Sequence, residues 1–190
     1  ILEVTPRKNH NQLNIVHNGT LYPTQKTTLL RKALARVKIP NDFEIILKFP
    51  GILIKKEVAD LLNLDFQGLP VKLEMSNRIS QQEILKMQLD ADLLLMVAHE
   101  NVKGIVGSKL YEYIGLKKPV LLCPSDNDEL EETLNDVGLG IIINDEGELV
   151  KRLEDLIAEK QATGEIRLNY KEEKVSKYNR ESQVYTLVQH

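Results

Sequence analysis

The sequence predicts an α/β fold: one domain built on a doubly wound, mostly parallel six-stranded sheet. Short apolar runs alternate six times with segments of helical periodicity, the signature of strands joined by helical crossovers. The stretch "ADLLLMVA" (91–98) is too uniformly apolar to alternate between a wet and a dry face, so it reads as a central strand covered on both sides. A length of 190 residues suits one sizeable core better than two.

Each element follows from its own pattern. "LNIVH" (13–17) is the first strand. "TQKTTLLRKALARV" (24–37) follows as a helix, because Leu29, Leu30, Ala33, Leu34 and Val37 recur on one face. "FEIILKF" (43–49) is the second strand, "KKEVADLLNL" (55–64) a helix and "VKLEM" (71–75) the third strand. "SQQEILKMQL" (80–89) is a helix with Ser80 as N-cap and Glu83 three residues on, a capping-box spacing. After the fourth strand come "SKLYEYIGL" (108–116) as helix and "PVLLC" (119–123) as strand. "DELEETLNDV" (128–137) is a helix with Gly138 just past its end, "GIIIN" (140–144) a strand and "GELVKRLEDLIAEKQ" (147–161) a helix. The expected organisation is a polar interdomain linker over 1–12, a Rossmann-like domain over 13–168 and a charged helical tail over 169–190. The first residue is not Met and the opening is polar, which suggests a cut from a longer chain.

Composition narrows the class. A net charge of −3 argues against a general binder of nucleic-acid backbone, which needs a basic stripe. No apolar run reaches the roughly 18 residues of a membrane span, and no signal-peptide pattern opens the chain. Cys123 is the only cysteine and sits in an apolar strand, so it reads as a buried thiol. Asp126, Asp128, Glu129, Glu131 and Glu132 form an acidic cluster without His or Cys partners, better explained by a helix N-terminus than by a metal.

The topology predicts where a ligand sits. In the order 3-2-1-4-5-6, strands one and four are neighbours whose connections diverge, opening a crevice at their carboxyl ends. "HNGT" (17–20) and "AHENVKGIVGSK" (98–109) face it. Ser108 reads as an N-cap that leaves the amides of Lys109, Leu110 and Tyr111 at the positive end of the helix dipole, which suits phosphate. Gly107 lets a ligand approach the backbone, and Lys109 adds a charge. Glu112, four residues beyond Ser108, lies about 6 Å along the axis, roughly a diphosphate-to-ribose step, while Leu110, Tyr113 and Ile114 turn to the core. Ser108 and Glu112 can also be a plain cap and a first-turn acid favoured by the dipole. His17 and His99 end strands one and four; His99 with Glu100 can orient a sugar or exchange a proton, or both histidines can lack a catalytic task. "FPG" (49–51) reads as a turn.

"GSKLYEYIGLKKPVLLC" (107–123), preceded by "ADLLLMVAHENVKG" and followed by "LNDVGLGIIIND", resembles the carboxyl-terminal donor-binding domain of GT-B glycosyltransferases of the bacterial surface-polysaccharide type, with its "GKLFEYLAAGKPIL" pattern. "NGTLYPTQ" (18–25) and "KYNRESQVYTLVQ" (177–189) resemble the same group, so the likeness spans almost the whole chain. It implies a nucleoside diphosphate sugar as donor substrate, with no further cofactor. Glu112 would take the ribose hydroxyls, Ser108 and Lys109 the pyrophosphate, Gly19 and Thr20 the donor phosphates, and Arg78 and Ile79 the base. It also implies an acceptor-binding domain N-terminal to this one, and a cytoplasmic protein that meets the inner face of the membrane through that domain. A nucleotide-sugar epimerase of the same architecture, or a catalytically silent nucleotide-binding or interaction module, are the alternatives. The chain departs from the broader retaining pattern: Gly104 stands where that pattern has a second glutamate, and Thr20 where it has an arginine. Lys26 and Lys48 are the nearest substitutes for that arginine, and both also read as solvated surface lysines. The catalytic base is unassigned.

Overall fold

Period-two alternation inside the apolar runs sorts side chains to the two faces of one sheet. The computed structural model describes residues 9–178, with six strands: β1 (Gln12–Val16), β2 (Glu44–Pro50), β3 (Lys72–Ser76), β4 (Leu93–Met96), β5 (Val120–Leu122) and β6 (Gly140–Ile142). Their order is β3-β2-β1-β4-β5-β6, as the sequence predicts, and every neighbouring pair is parallel. Leu93 and Leu95 of β4 enter the core on one face, Leu94 and Met96 on the other. That strand has no solvent face, hence its unbroken apolar sequence.

Among the described residues, seven α-helices cover the sheet: α1 (Thr28–Leu34), α2 (Lys56–Phe66), α3 (Gln81–Leu89), α4 (Ser108–Gly115), α5 (Glu129–Val137), α6 (Glu146–Thr163) and α7 (Glu172–Val175). Helices α1, α2 and α6 bury Leu30, Leu34, Leu62, Phe66, Leu149 and Leu153 against one face. Helices α4, α5 and α7 bury Leu110, Tyr113, Leu130, Leu134 and Val175 against the other, where Met87 of α3 also packs.

Helix ends obey local chemistry, with two corrections. Helix α1 begins at Thr28 rather than at residue 24, because the preceding residues serve the crevice instead: the Thr24 hydroxyl bonds His99 Nδ1 at 2.7 Å and the Gln25 amide donates to the Val97 carbonyl at 2.7 Å. The Ser80–Glu83 capping box on α3 forms as expected. Helix α4 is capped by the extended Gly107, and Ser108 is its first residue rather than its cap. The acidic cluster caps α5: the Asp126 carboxylate accepts from the amides of Asp128, Leu130 and Glu131. Helix α5 stops at Gly138, whose φ of 78° is left-handed. A Cβ there would lie 2.9 Å from the Asn169 carbonyl oxygen. The returning chain is held there, since the Lys171 amide donates to the Val137 carbonyl and Val175 enters the core. A four-residue helix and a 3-10 turn, Ser176–Tyr178, are all the helix that the tail shows among the described residues. The rest of that expected tail, and most of the expected linker, lie outside them.

At the end of the sheet away from the crevice, Asp92 ties three elements together. One carboxylate oxygen accepts from the Asn14 amide at 2.8 Å, the other from the Lys160 ammonium of α6 at 2.5 Å, and Lys160 also donates to the Gly164 carbonyl. Both charged side chains are buried. Asp92→Ala should therefore cost about 3–5 kcal/mol in urea unfolding, because it strands a buried ammonium. Asp92→Asn combined with Lys160→Met removes both charges and should recover more than half of that loss.

Candidate functional site

Strand β1 runs out into the turn "HNGT" toward α1, and β4 into the loop that leads to α4 on the opposite face, so the chain divides between β1 and β4. The β1 turn is propped from behind by β2. The Gly19 amide donates to the Pro50 carbonyl at 2.8 Å, and Gly51 lies so close that a Cβ on it would sit 3.3 Å from Gly19 Cα. Both glycines have positive φ, 89° and 87°. A side chain on Gly19 would in turn meet Lys109 Cε at 3.5 Å and Nζ at 3.6 Å. Lys109 thus lies across the turn.

The Lys109 ammonium has a buried partner. His17 Nδ1 lies 3.0 Å from the Leu95 carbonyl oxygen, which can only accept, so Nδ1 carries the proton and Nε2 the lone pair. Lys109 Nζ sits 3.2 Å from that Nε2. Burial, and then the charge of Lys109, hold the His17 pKa down at about 3. Burial likewise lowers Lys109 to about 8, against the opposing pull of Glu112. The ammonium is half-buried and still mostly charged at neutral pH.

Glu112, one turn further along α4, is exposed and held from two sides. Its Oε1 accepts from the buried Gln88 Nε2 at 2.6 Å and from Asn18 Nδ2 at 3.4 Å. The Asn18 amide donates to the Tyr113 hydroxyl at 3.1 Å, and burial pushes the Tyr113 pKa well above the phenol range. Asn18 therefore links the β1 turn to two successive residues of α4.

The structure brings together Gly19, Lys109 and Glu112, with Gly107 at the helix start. Leu110 departs from its expected part: its amide donates to the Gly107 carbonyl at 3.1 Å and its side chain is wholly in the core, which leaves the amides of Ser108, Lys109 and Tyr111 at the helix start. Ser108 is exposed and lines a groove of about 570 Å³ with Gln81, Tyr111, Glu112 and Tyr178. The Thr20 hydroxyl is turned to the Leu21 carbonyl. Arg78 and Ile79 lie in the loop after β3, two strands from β1, and neither bonds to the Gly19, Lys109 and Glu112 group. Lys48 pairs with Glu74 at 3.6 Å and Lys26 is exposed, so Lys109 is the cation beside the Gly19 turn. His99 is half-buried against Tyr22, with ring centroids 5.6 Å apart.

Sequence reading missed Asn18, Gly51 and Gln88 and left the part of His17 open. Gln88 had a signal, a polar residue on the same helical stripe as Ile84 and Met87. Gly51 had none beyond a turn, because its need arises from the approach of the β1 loop.

No family model matches the chain, and no curated protein matches it in sequence. Solved structures do match its fold. The catalytic domain of cholesterol-alpha-glucosyltransferase from Helicobacter pylori is 19% identical over 91% of this chain and 98% of that one, with a TM-score of 0.55. Anabaena HepE in complex with UDP-glucose is 18% identical over 95% of this chain and 50% of its own, TM-score 0.57. Sucrose-phosphate synthase from Thermosynechococcus elongatus is 14% identical over 95% and 45%, TM-score 0.64. The fold is that of a Rossmann-like half of the GT-B architecture. The chain spans about half the length of HepE and of the synthase. Among the described residues, no helix is long and apolar enough to cross a membrane.

The buried imidazole has a consequence for stability. Unfolded His17 takes up a proton near pH 6.5 and folded His17 only near 3. The unfolded state binds more protons across that window, so stability falls as pH drops through it, by about 1.4 kcal/mol per pH unit at the steepest. His17→Gln removes the titration, and its urea-unfolding free energy should fall less steeply with acidification than that of the wild type.

Proposed function

We propose that this chain is the donor-binding half of a glycosyltransferase, moving a sugar from a nucleoside diphosphate sugar to an acceptor in surface-polysaccharide synthesis. One observation carries the reading. At the β1/β4 switch point a half-buried ammonium, Lys109, lies against the Gly19 turn, with the carboxylate of Glu112 one helical turn beyond it. The HepE complex with UDP-glucose supports the ligand class.

In this reading the diphosphate rests on the start of α4, met by the amides of Ser108 and Lys109, the Lys109 ammonium and the positive end of the helix dipole. Gly107 and Gly19 let it approach the backbone, with Thr20 beside them. Lys109 supplies the cation that the family pattern places just after the first-strand glycine. Glu112 takes the ribose hydroxyls, and the loop of Arg78 and Ile79 borders the base. Charge developing on the departing diphosphate is stabilised by groups already in place, which cost no reorganisation as the bond breaks. The donor is the substrate, and no resident cofactor is assigned. The acceptor and the base that activates it belong to a further domain facing the crevice, through which the cytoplasmic enzyme meets the inner face of the membrane. This half alone binds donor and transfers nothing.

Lys109→Ala should weaken UDP by about 10-fold or more while leaving uridine within about twofold, and the loss should shrink as salt rises. Because the protonated lysine is the binding form, wild-type affinity for UDP should fall as pH rises past its pKa of about 8, and the variant should lack that fall. Calorimetry with both ligands checks both statements; equal losses for UDP and uridine would contradict the phosphate role.

Glu112→Gln should keep the helix while replacing a charged acceptor pair by one amide oxygen and one donor, weakening UDP by about 1–3 kcal/mol. A 2′,3′-dideoxy nucleotide lacks both hydroxyls and should bind the two proteins similarly. If the substitution costs as much with the dideoxy ligand, Glu112 is only a helix acid.

A further inference from the structure

Lysine and glutamate three residues apart on a helix ordinarily drift into an ion pair. Lys109 and Glu112 have that spacing on α4, yet no ion pair joins them among the described residues. Each is held by a buried neutral side chain from another element: Lys109 by His17 at the end of β1, Glu112 by Gln88 of α3. His17 cannot turn to release its guest. It is 1% exposed, its Nδ1–H is spent on the Leu95 carbonyl, and the Phe49 ring packs at 5.7 Å between centroids. The Thr20 backbone also bonds the ring, but with the Nδ1 proton on Leu95 it is Nε2 that presents its lone pair to the Lys109 ammonium.

We propose that His17 is a positioning residue: its Nε2 holds the Lys109 ammonium over the Gly19 turn and away from Glu112, so that cation and carboxylate stay available to separate parts of one ligand. The cation's role toward phosphate rests on the donor-site reading above; the hold itself does not. Burial supports it, since an imidazole that resists protonation down to about 3 remains an acceptor throughout the neutral range. Lacking Nε2, Lys109 turns to Glu112, and the site loses its phosphate cation first.

Two substitutions separate this role from simple core packing. In His17→Asn the side-chain amide can still donate to Leu95, as Nδ1 does, but nothing reaches the Nε2 position. In His17→Gln the longer chain can place an oxygen there. With calorimetry on UDP and uridine, His17→Asn should lose about 10-fold for UDP and no more than about twofold for uridine, while His17→Gln should keep UDP within about threefold of wild type. Wild-type UDP affinity in His17→Asn, or equal losses for both ligands without rescue by Gln, would overturn the proposal. If Lys109→Ala itself leaves UDP binding unchanged, the donor-site reading falls instead. The imidazole ¹⁵N spectrum of the wild-type protein then decides His17, as it does if His17→Asn fails to fold. An unprotonated Nε2 whose signal moves in Lys109→Ala supports the hold, and a protonated Nε2 overturns it.

Discussion

The crevice exists because β1 lies beside β4, and that adjacency is enforced from the far end of the sheet by one buried carboxylate. Asp92 accepts from the Asn14 amide, donates its own amide to the Asn14 carbonyl and holds the Lys160 ammonium. A charge buried this deeply is tolerated only when it is paired and hydrogen-bonded, so β1, β4 and α6 are fixed together or not at all. With the two strands pinned side by side, the connections that leave their carboxyl ends diverge toward opposite faces of the sheet. Every group at the candidate site hangs from that divergence.

At those carboxyl ends the polar groups are stacked in layers. Gly51 permits the Gly19 turn, the turn admits Lys109, and His17 beneath the turn fixes the ammonium. Asn18 bonds both Glu112 and Tyr113, so the turn and α4 cannot shift independently. The buried members, His17, Tyr113 and Gln88, are neutral, and the two charged members lie nearer solvent. Desolvation sorts them this way, since a neutral acceptor costs far less to bury than an ion.

The GT-B likeness is one of fold, and the fold hosts more than one chemistry. In this chain the cation at the crevice is Lys109. Thr20 follows the first-strand glycine, and the charge arrives instead from the start of α4 across the turn. Lys109 can lie there because Gly19 has no side chain to obstruct it.

Much was legible in the sequence. Alternating apolar and helical runs determined six strands and a doubly wound sheet, whose common strand order is the one observed; the unbroken run around Leu94 determined the central strand, and Gly138 and the Ser80–Glu83 pair determined helix ends. These are local patterns, set by periodicity and by backbone groups that must be paired nearby. The switch point followed from the expected strand order, which put the segments holding Gly19, Gly107 and Lys109 at one crevice; helical spacing added Glu112, and the family resemblance gave Gly19 its part. Tertiary structure decided the rest: that Gly107 and not Ser108 caps α4, that the Leu110 amide is already taken, that His17 holds Lys109, and that Gln88 and Asn18 hold Glu112. Those partners stand 24 to 94 positions apart in the chain. No periodicity spans such distances; helical spacing already sets Lys109 and Glu112 side by side, but only the adjacency of β1 and β4 brings His17 and Asn18 to them.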